Sequence, residues 1–120
     1  MQILIVLGSM LMMAAVAMGA FGAHALKGKM SADKQKVYET AVLYHIIHAL
    51  GIIVIGLLGG QYPENGMIEA AGWLMVAGIV LFSGSLYVLS LKRARLLGPI
   101  TPLGGLSFIA GWLLVALGVL

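Results

Sequence analysis

The chain has 120 residues, of which 62% are apolar and 9% charged, with a formal net charge of +3 and no cysteine. A soluble domain carries about 25% charged residues and needs a polar face on every element, so this composition excludes one and leaves the bilayer as the solvent. Disulfides, iron–sulfur clusters and thiolate zinc sites are excluded with the cysteines, and the small positive charge gives no reason to expect nucleic acid as a partner.

A spanning helix needs about 20 predominantly apolar residues. The first such run is Ile3 to Leu26, interrupted only by Ser9 and His24. Ala23-His24-Ala25 has the form of a signal cleavage site, but no basic residue precedes the run and the run is long for a signal core, so an uncleaved first span is expected. Gly28 marks the break after it. Ser31 suits a helix N-cap, and the chain from Ala32 runs on without Gly or Pro. That pattern predicts an interfacial helix over about residues 32–39 that continues into the second span, residues 40–60. The third run, Gly66 to Leu91, has Glu69 near its start, which puts the span at about residues 68–91. Gly98-Pro99-Ile100-Thr101-Pro102 predicts a stop and restart, with Thr101 as N-cap and Pro102 at the first helical position. The fourth span is residues 101–120. These runs are too long and too uniformly apolar for barrel strands. The expected fold is an all-α, integral membrane four-helix bundle forming one transmembrane domain over residues 1–120.

All seven basic residues fall in two connections: Lys27, Lys29, Lys34 and Lys36 between the first and second runs, and Lys92, Arg93 and Arg95 between the third and fourth. The middle connection has Glu64 and Glu69 but no base. The positive-inside rule therefore places the basic loops in the cytoplasm and both termini outside.

Apolar burial does not drive helices together in lipid, so close approach through small residues does. Gly8, Ala15 and Gly22 recur every seven residues in the first run, as do Gly104, Gly111 and Gly118 in the fourth. Seven residues are about two turns, so each set makes one stripe. Gly56 and Gly60 match G-x-x-x-G. The stripes are read as packing within one copy, with packing between copies as the alternative.

Polar residues within the runs gather toward the basic end. His24, His45 and His48 lie there, as do Ser83, Ser85 and Tyr87, whereas the other half holds little beyond Ser9. At i, i+3 and i+4, Tyr44, His45 and His48 are expected on a common helix face. Polar groups in hydrocarbon need partners and are a functional hypothesis by default. Interhelical hydrogen bonding is the plainer reading; binding of a lipid headgroup, quinone or other amphiphile is the functional one. A proton path lacks a deep carboxylate. A metal site on His45 and His48, with His24 as third ligand, rests on H-x-x-H alone, and no metal or cofactor is expected. No nucleophile–base pair, P-loop or dinucleotide fingerprint is present, so no enzymatic activity is expected.

The segments Gly19–Leu26, Tyr38–Ala41, Tyr44–Leu50, Phe82–Tyr87 and Ile100–Gly105 resemble the small bacterial membrane proteins grouped as domain-of-unknown-function family 423, related to eukaryotic transmembrane protein 256. The resemblance runs through all four spans in order. It implies a four-span membrane fold, supplies no activity, and fits a multi-pass protein of a bacterial inner membrane. The family's pattern includes the positions of His24, Tyr44, His48, Ser83, Ser85 and Thr101. With His45, these are the candidate ligand-binding residues; Lys92, Arg93 and Arg95 are candidates for anionic lipid headgroups. The expected partners are membrane lipids, and a homo-oligomer or a larger membrane complex. The leading functional expectation is binding of a lipid-like ligand or membrane partner through this polar slab. The alternatives are an oligomeric channel or transporter and a structural accessory subunit.

Overall fold

A computed structural model describes residues 2–92 and 95–120. Four helices, each long and apolar enough to cross a bilayer, account for nearly all of them: α1 (Gln2–His24), α2 (Ala32–Gln61), α3 (Gly66–Leu91) and α4 (Ile100–Gly118). No strand occurs among the described residues. In lipid only a helix can satisfy its backbone groups within a single segment, which is why the apolar runs take this form. The protein is an all-α multi-pass membrane protein.

Local signals set the boundaries. Gly28, at a φ of +77° that L side chains rarely adopt, turns the chain after α1. The Ser31 hydroxyl accepts the Lys34 N–H at 3.2 Å and caps α2. Asn65 caps α3 by accepting the Met67 N–H at 2.9 Å, while its amide donates to the Gly118 carbonyl at the end of α4, 2.6 Å away. One side chain thus satisfies orphan groups at two helix ends. At the basic end the Lys34 ammonium satisfies one further helix end, meeting the Leu89 carbonyl in the last turn of α3 at 2.6 Å.

The start of α4 differs from the sequence expectation. The helix begins at Ile100 after a 3₁₀ turn over Arg95–Leu97, with Pro99 at the cap position and no side-chain cap. Thr101 is therefore inside the first turn and Pro102 at its third position, where a proline still forfeits no helical hydrogen bond. The Thr101 hydroxyl faces α3 instead of capping.

The four helices form a flattened bundle, 49 × 27 × 18 Å. α1 pairs with α2 and α3 with α4, and the two hairpins join through α2 against α3. Both seven-residue stripes are consumed within the copy. On α1 the buried residues are Leu4, Gly8, Ala15 and Gly22. A Cβ at Gly8 would stand 3.0 Å from the Ala49 carbonyl of α2, and one at Gly22 would enter the Tyr38 ring. On α4, Gly104 lies on the backbone of Phe82, Gly111 on Met75 and Gly118 on Ile68. The G-x-x-x-G pair does not act as a pair: Gly56 is buried, but Gly60 is exposed with open space around it.

The two ends are packed differently. Leu4, Ile52, Ile55, Ile68, Ala71 and Met75 fill the end away from the basic loops with aliphatic side chains. Toward the basic loops, α3 widens into a π turn over Ile79–Ser83, in which the Gly84 N–H reaches back five residues to the Ile79 carbonyl. Such turns often occur at functional sites. This one holds the Phe82 backbone against Gly104 and sends the serines on either side of Gly84 to different neighbours.

Candidate functional site

The predicted polar residues do not converge on one point. Ser83 is fully buried and donates to the Ala41 carbonyl of α2 at 2.8 Å. Ser85 turns to α4, 2.5 Å from the Thr101 hydroxyl and 2.9 Å from the Phe82 carbonyl. Each hydroxyl has one proton. Ser85 therefore donates to Phe82 and Thr101 donates to Ser85, its approach to the Leu97 carbonyl being longer, 3.3 Å. These three residues pin α3 to its two neighbours.

His45 and His48 are both buried but point apart. At 100° per residue an i, i+3 pair is offset by roughly 60° on the helix, and here the offset separates them. His45 meets the Tyr87 hydroxyl of α3 through Nδ1 at 2.8 Å. Its enclosed Nε2 has no hydrogen-bond partner among the described residues. Tyr87 also packs edge-on to Tyr38, centroids 5.4 Å apart. The Tyr38 hydroxyl donates to the Met18 carbonyl of α1 at 2.5 Å.

The tautomer of His48 is fixed by its partners. Its Nδ1 lies 2.8 Å from the Tyr44 carbonyl, which can only accept, so Nδ1 carries the proton. Nε2 is then left as an acceptor, and the Trp112 indole N–H of α4 donates to it at 3.1 Å. The ring lies flat on Phe108, centroids 3.5 Å apart and planes 12° apart. Tyr44, one turn away, stacks beside it and tilts against Phe82, 4.7 Å between centroids.

Tyr44, His48, Phe82, Phe108 and Trp112 thus line a groove of about 570 Å³ between α2 and α4, together with Gly105. Tyr44 and Trp112 are among its exposed aromatics, so the groove opens outward, where the bilayer would lie. The Tyr44 hydroxyl has no protein partner among the described residues, in contrast to Ser83, Ser85, Thr101 and His48, whose polar groups are all engaged. Phe82, Phe108, Trp112 and Gly105 were not among the sequence candidates. The signal was present, since residues 105, 108, 109 and 112 recur at helical spacing, but periodicity alone does not tell a groove from a lipid-facing stripe.

His24 stands apart from the others, exposed at the end of α1. No group of three or more His, Asp or Glu residues able to hold a metal occurs among the described residues, and the divergence of His45 from His48 removes the two-histidine ligand pair. Lys92 and Arg95 are exposed at the basic end beside the start of α4. Arg93 lies outside the described residues.

The sequence matches, over residues 18–105, the family described as "Protein of unknown function (DUF423)". UPF0382 membrane protein YwdK of Bacillus subtilis is 48% identical over 101 residues, which cover 84% of this chain and 82% of that protein. A UPF0382 membrane protein of Staphylococcus haemolyticus is 50% identical over 101 residues, 84% of this chain and 81% of its own length. No solved structure matches.

Proposed function

The chain belongs to the DUF423 family, membrane proteins of unknown function, and on that premise we propose that it is a non-enzymatic lipid-binding protein whose ligand lies in the aromatic groove between α2 and α4. The observation that carries this is the contrast within the polar slab. Ser83, Ser85, Thr101 and His48 are committed to holding helices together and the unpartnered His45 Nε2 is enclosed, whereas the Tyr44 hydroxyl, at the groove wall, has no protein partner among the described residues and can meet a ligand. An amphiphile would place a hydrogen-bonding group at Tyr44 and its apolar body along Ile47 and Ile109. Apolar and aromatic lining with one or two placed polar groups is the general form of small-molecule sites. The rings cost little entropy to present, because packing against His48 and Phe82 already orders them.

The orientation belongs to this reading: the basic connections face the cytoplasm, where the anionic leaflet attracts each exposed Lys or Arg by about 1 kcal/mol. Lys92 and Arg95 add that general attraction. A histidine-lined pore draws no support from the arrangement, since His45 and His48 face helices of their own copy.

The test is native mass spectrometry of the protein extracted gently from its membrane. A discrete bound mass is expected. Tyr44→Phe should weaken it, and Gly105→Leu should displace it, because a Cβ at 105 meets only the edge of Phe82 at 3.8 Å and the added side chain would occupy the groove. Retention of the same mass by Gly105→Leu at wild-type occupancy would refute the assignment.

A further inference from the structure

A second cleft lies on the other side of α2. Its inner part, about 270 Å³, runs along the α1–α2 seam past Gly19, Val42 and Ile46 and is mainly apolar. Its outer part, about 450 Å³, reaches the first loop at Lys27. The two parts share Gly22, Ala23, Gln35 and Glu39, so they adjoin along this seam. The small residues of α1 create it: Gly22 is filled by the Tyr38 ring, but Gly19 and Ala23 leave room beside α2.

The depth of this cleft follows from helix length. α2 has 30 residues, about 45 Å at 1.5 Å each, against a hydrocarbon core of about 30 Å. The surplus of about 15 Å, ten residues, is its amino-terminal part at the basic end. Gln35 and Glu39 therefore lie in the headgroup layer and Val42 to Ile46 in the hydrocarbon, so the change from polar to apolar lining follows the change in the bilayer itself. Glu39 is exposed there with one long hydrogen bond from the Gln35 amide, 3.4 Å, as its partner among the described residues. Glu39 and Lys27 both line the outer part, so residues of both signs of charge border the space.

We infer that this cleft is a second lipid site, distinct from the aromatic groove, and that it selects a zwitterionic phospholipid bearing a primary amine. The amine would meet Glu39 and the Gln35 amide oxygen, the phosphate Lys27, and one acyl chain the seam between Gly19 and Ile46. An anionic headgroup without an amine could still bring its phosphate to Lys27 but would leave the Glu39 carboxylate without a counter-charge. Headgroup choice therefore turns on Glu39, whereas entry of any lipid turns on the space beside Ala23.

The experiment uses the full chain in bilayers of equal parts phosphatidylethanolamine and phosphatidylglycerol with identical acyl chains, followed by native mass spectrometry of the lipid adducts. The wild type should enrich the ethanolamine lipid about five-fold, the preference that one partly solvated charge pair supplies. Glu39→Gln should bring the ratio close to one, and Ala23→Leu should remove the enriched adduct. Both positions are exposed, and circular dichroism before and after heating checks that each variant folds; if Ala23→Leu does not, Glu39→Gln decides alone. Gly105→Leu, which blocks the aromatic groove, should leave the headgroup ratio unchanged, so the two sites fail or succeed separately. Equal adducts for the wild type, or a ratio that survives Glu39→Gln, would overturn the assignment.

Discussion

Replacing Gly104 with alanine tests the closest approach in the fold. The added Cβ would stand 2.7 Å from the Cα of Phe82 and closer still to its nitrogen. Ordinary contacts of this kind begin near 3.4 Å, and the obstacle is backbone, so no rotamer change relieves it. The helices must part by about 1 Å, or the π turn must shift. Parting them strains the Thr101–Ser85 hydrogen bond, 2.5 Å, and loosens the contact between Phe82 and Phe108. Overpacking of this kind costs about 1–3 kcal/mol, and the loss of close backbone contact places it in the upper half of that range. Alanine recovers up to about 1 kcal/mol through its better helix propensity, leaving a net loss of about 1–2 kcal/mol. The assay is reversible unfolding in mixed micelles followed by circular dichroism, with Gly60→Ala as the control. Gly60 has open space around it, so that variant should be neutral or slightly stabilised. If Gly104→Ala proves as stable as Gly60→Ala, the close approach of α3 and α4 at Phe82 is wrong.

Three further outcomes follow from the hydrogen bonds. Nitrogen NMR of labelled histidine should find His48 protonated at Nδ1, and Trp112→Phe should shift its Nε2 signal while costing about 0.5–1 kcal/mol; a proton on Nε2 in the wild type would contradict the Trp112 bond. Lys34→Met removes the cap on the Leu89 carbonyl, so amide exchange should rise locally at the end of α3, at a cost of about 1 kcal/mol; uniform exchange would show that the cap does not hold that end. Asn65→Ala uncovers α3's first turn and the Gly118 carbonyl together, and should cost about 1–2 kcal/mol in thermal unfolding; a loss equal to that of capping α3 alone would mean the α4 bond contributes nothing.

Much of the architecture could be read from the chain because it depends on properties that each segment carries alone. A run of about 20 apolar residues must satisfy its own backbone in lipid and becomes a helix whatever lies beside it. The break at Gly28, the cap at Ser31 and the small-residue stripes at Gly8–Gly22 and Gly104–Gly118 are equally local. The cap at Thr101 was misjudged because one turn-forming segment offered two start points, and the hydroxyl found a better partner in Ser85 across the helix interface.

The candidate site was less legible. The sequence placed polar residues at one depth, which depends only on position along each helix. Their direction depends on how each helix is rotated against its neighbours, and the π turn in α3 changes that rotation midway. Rotation sends His45 to Tyr87 and His48 to Trp112, commits Ser83 and Ser85 to different helices, and leaves Tyr44 with a free hydroxyl beside rings that are far apart in the chain. Composition and periodicity thus determined that this protein crosses the membrane four times. Which of its polar groups are engaged between helices, and which keep a free hydroxyl, was decided only by packing, because a hydrogen-bond partner on another helix is a property of two segments and is written in neither.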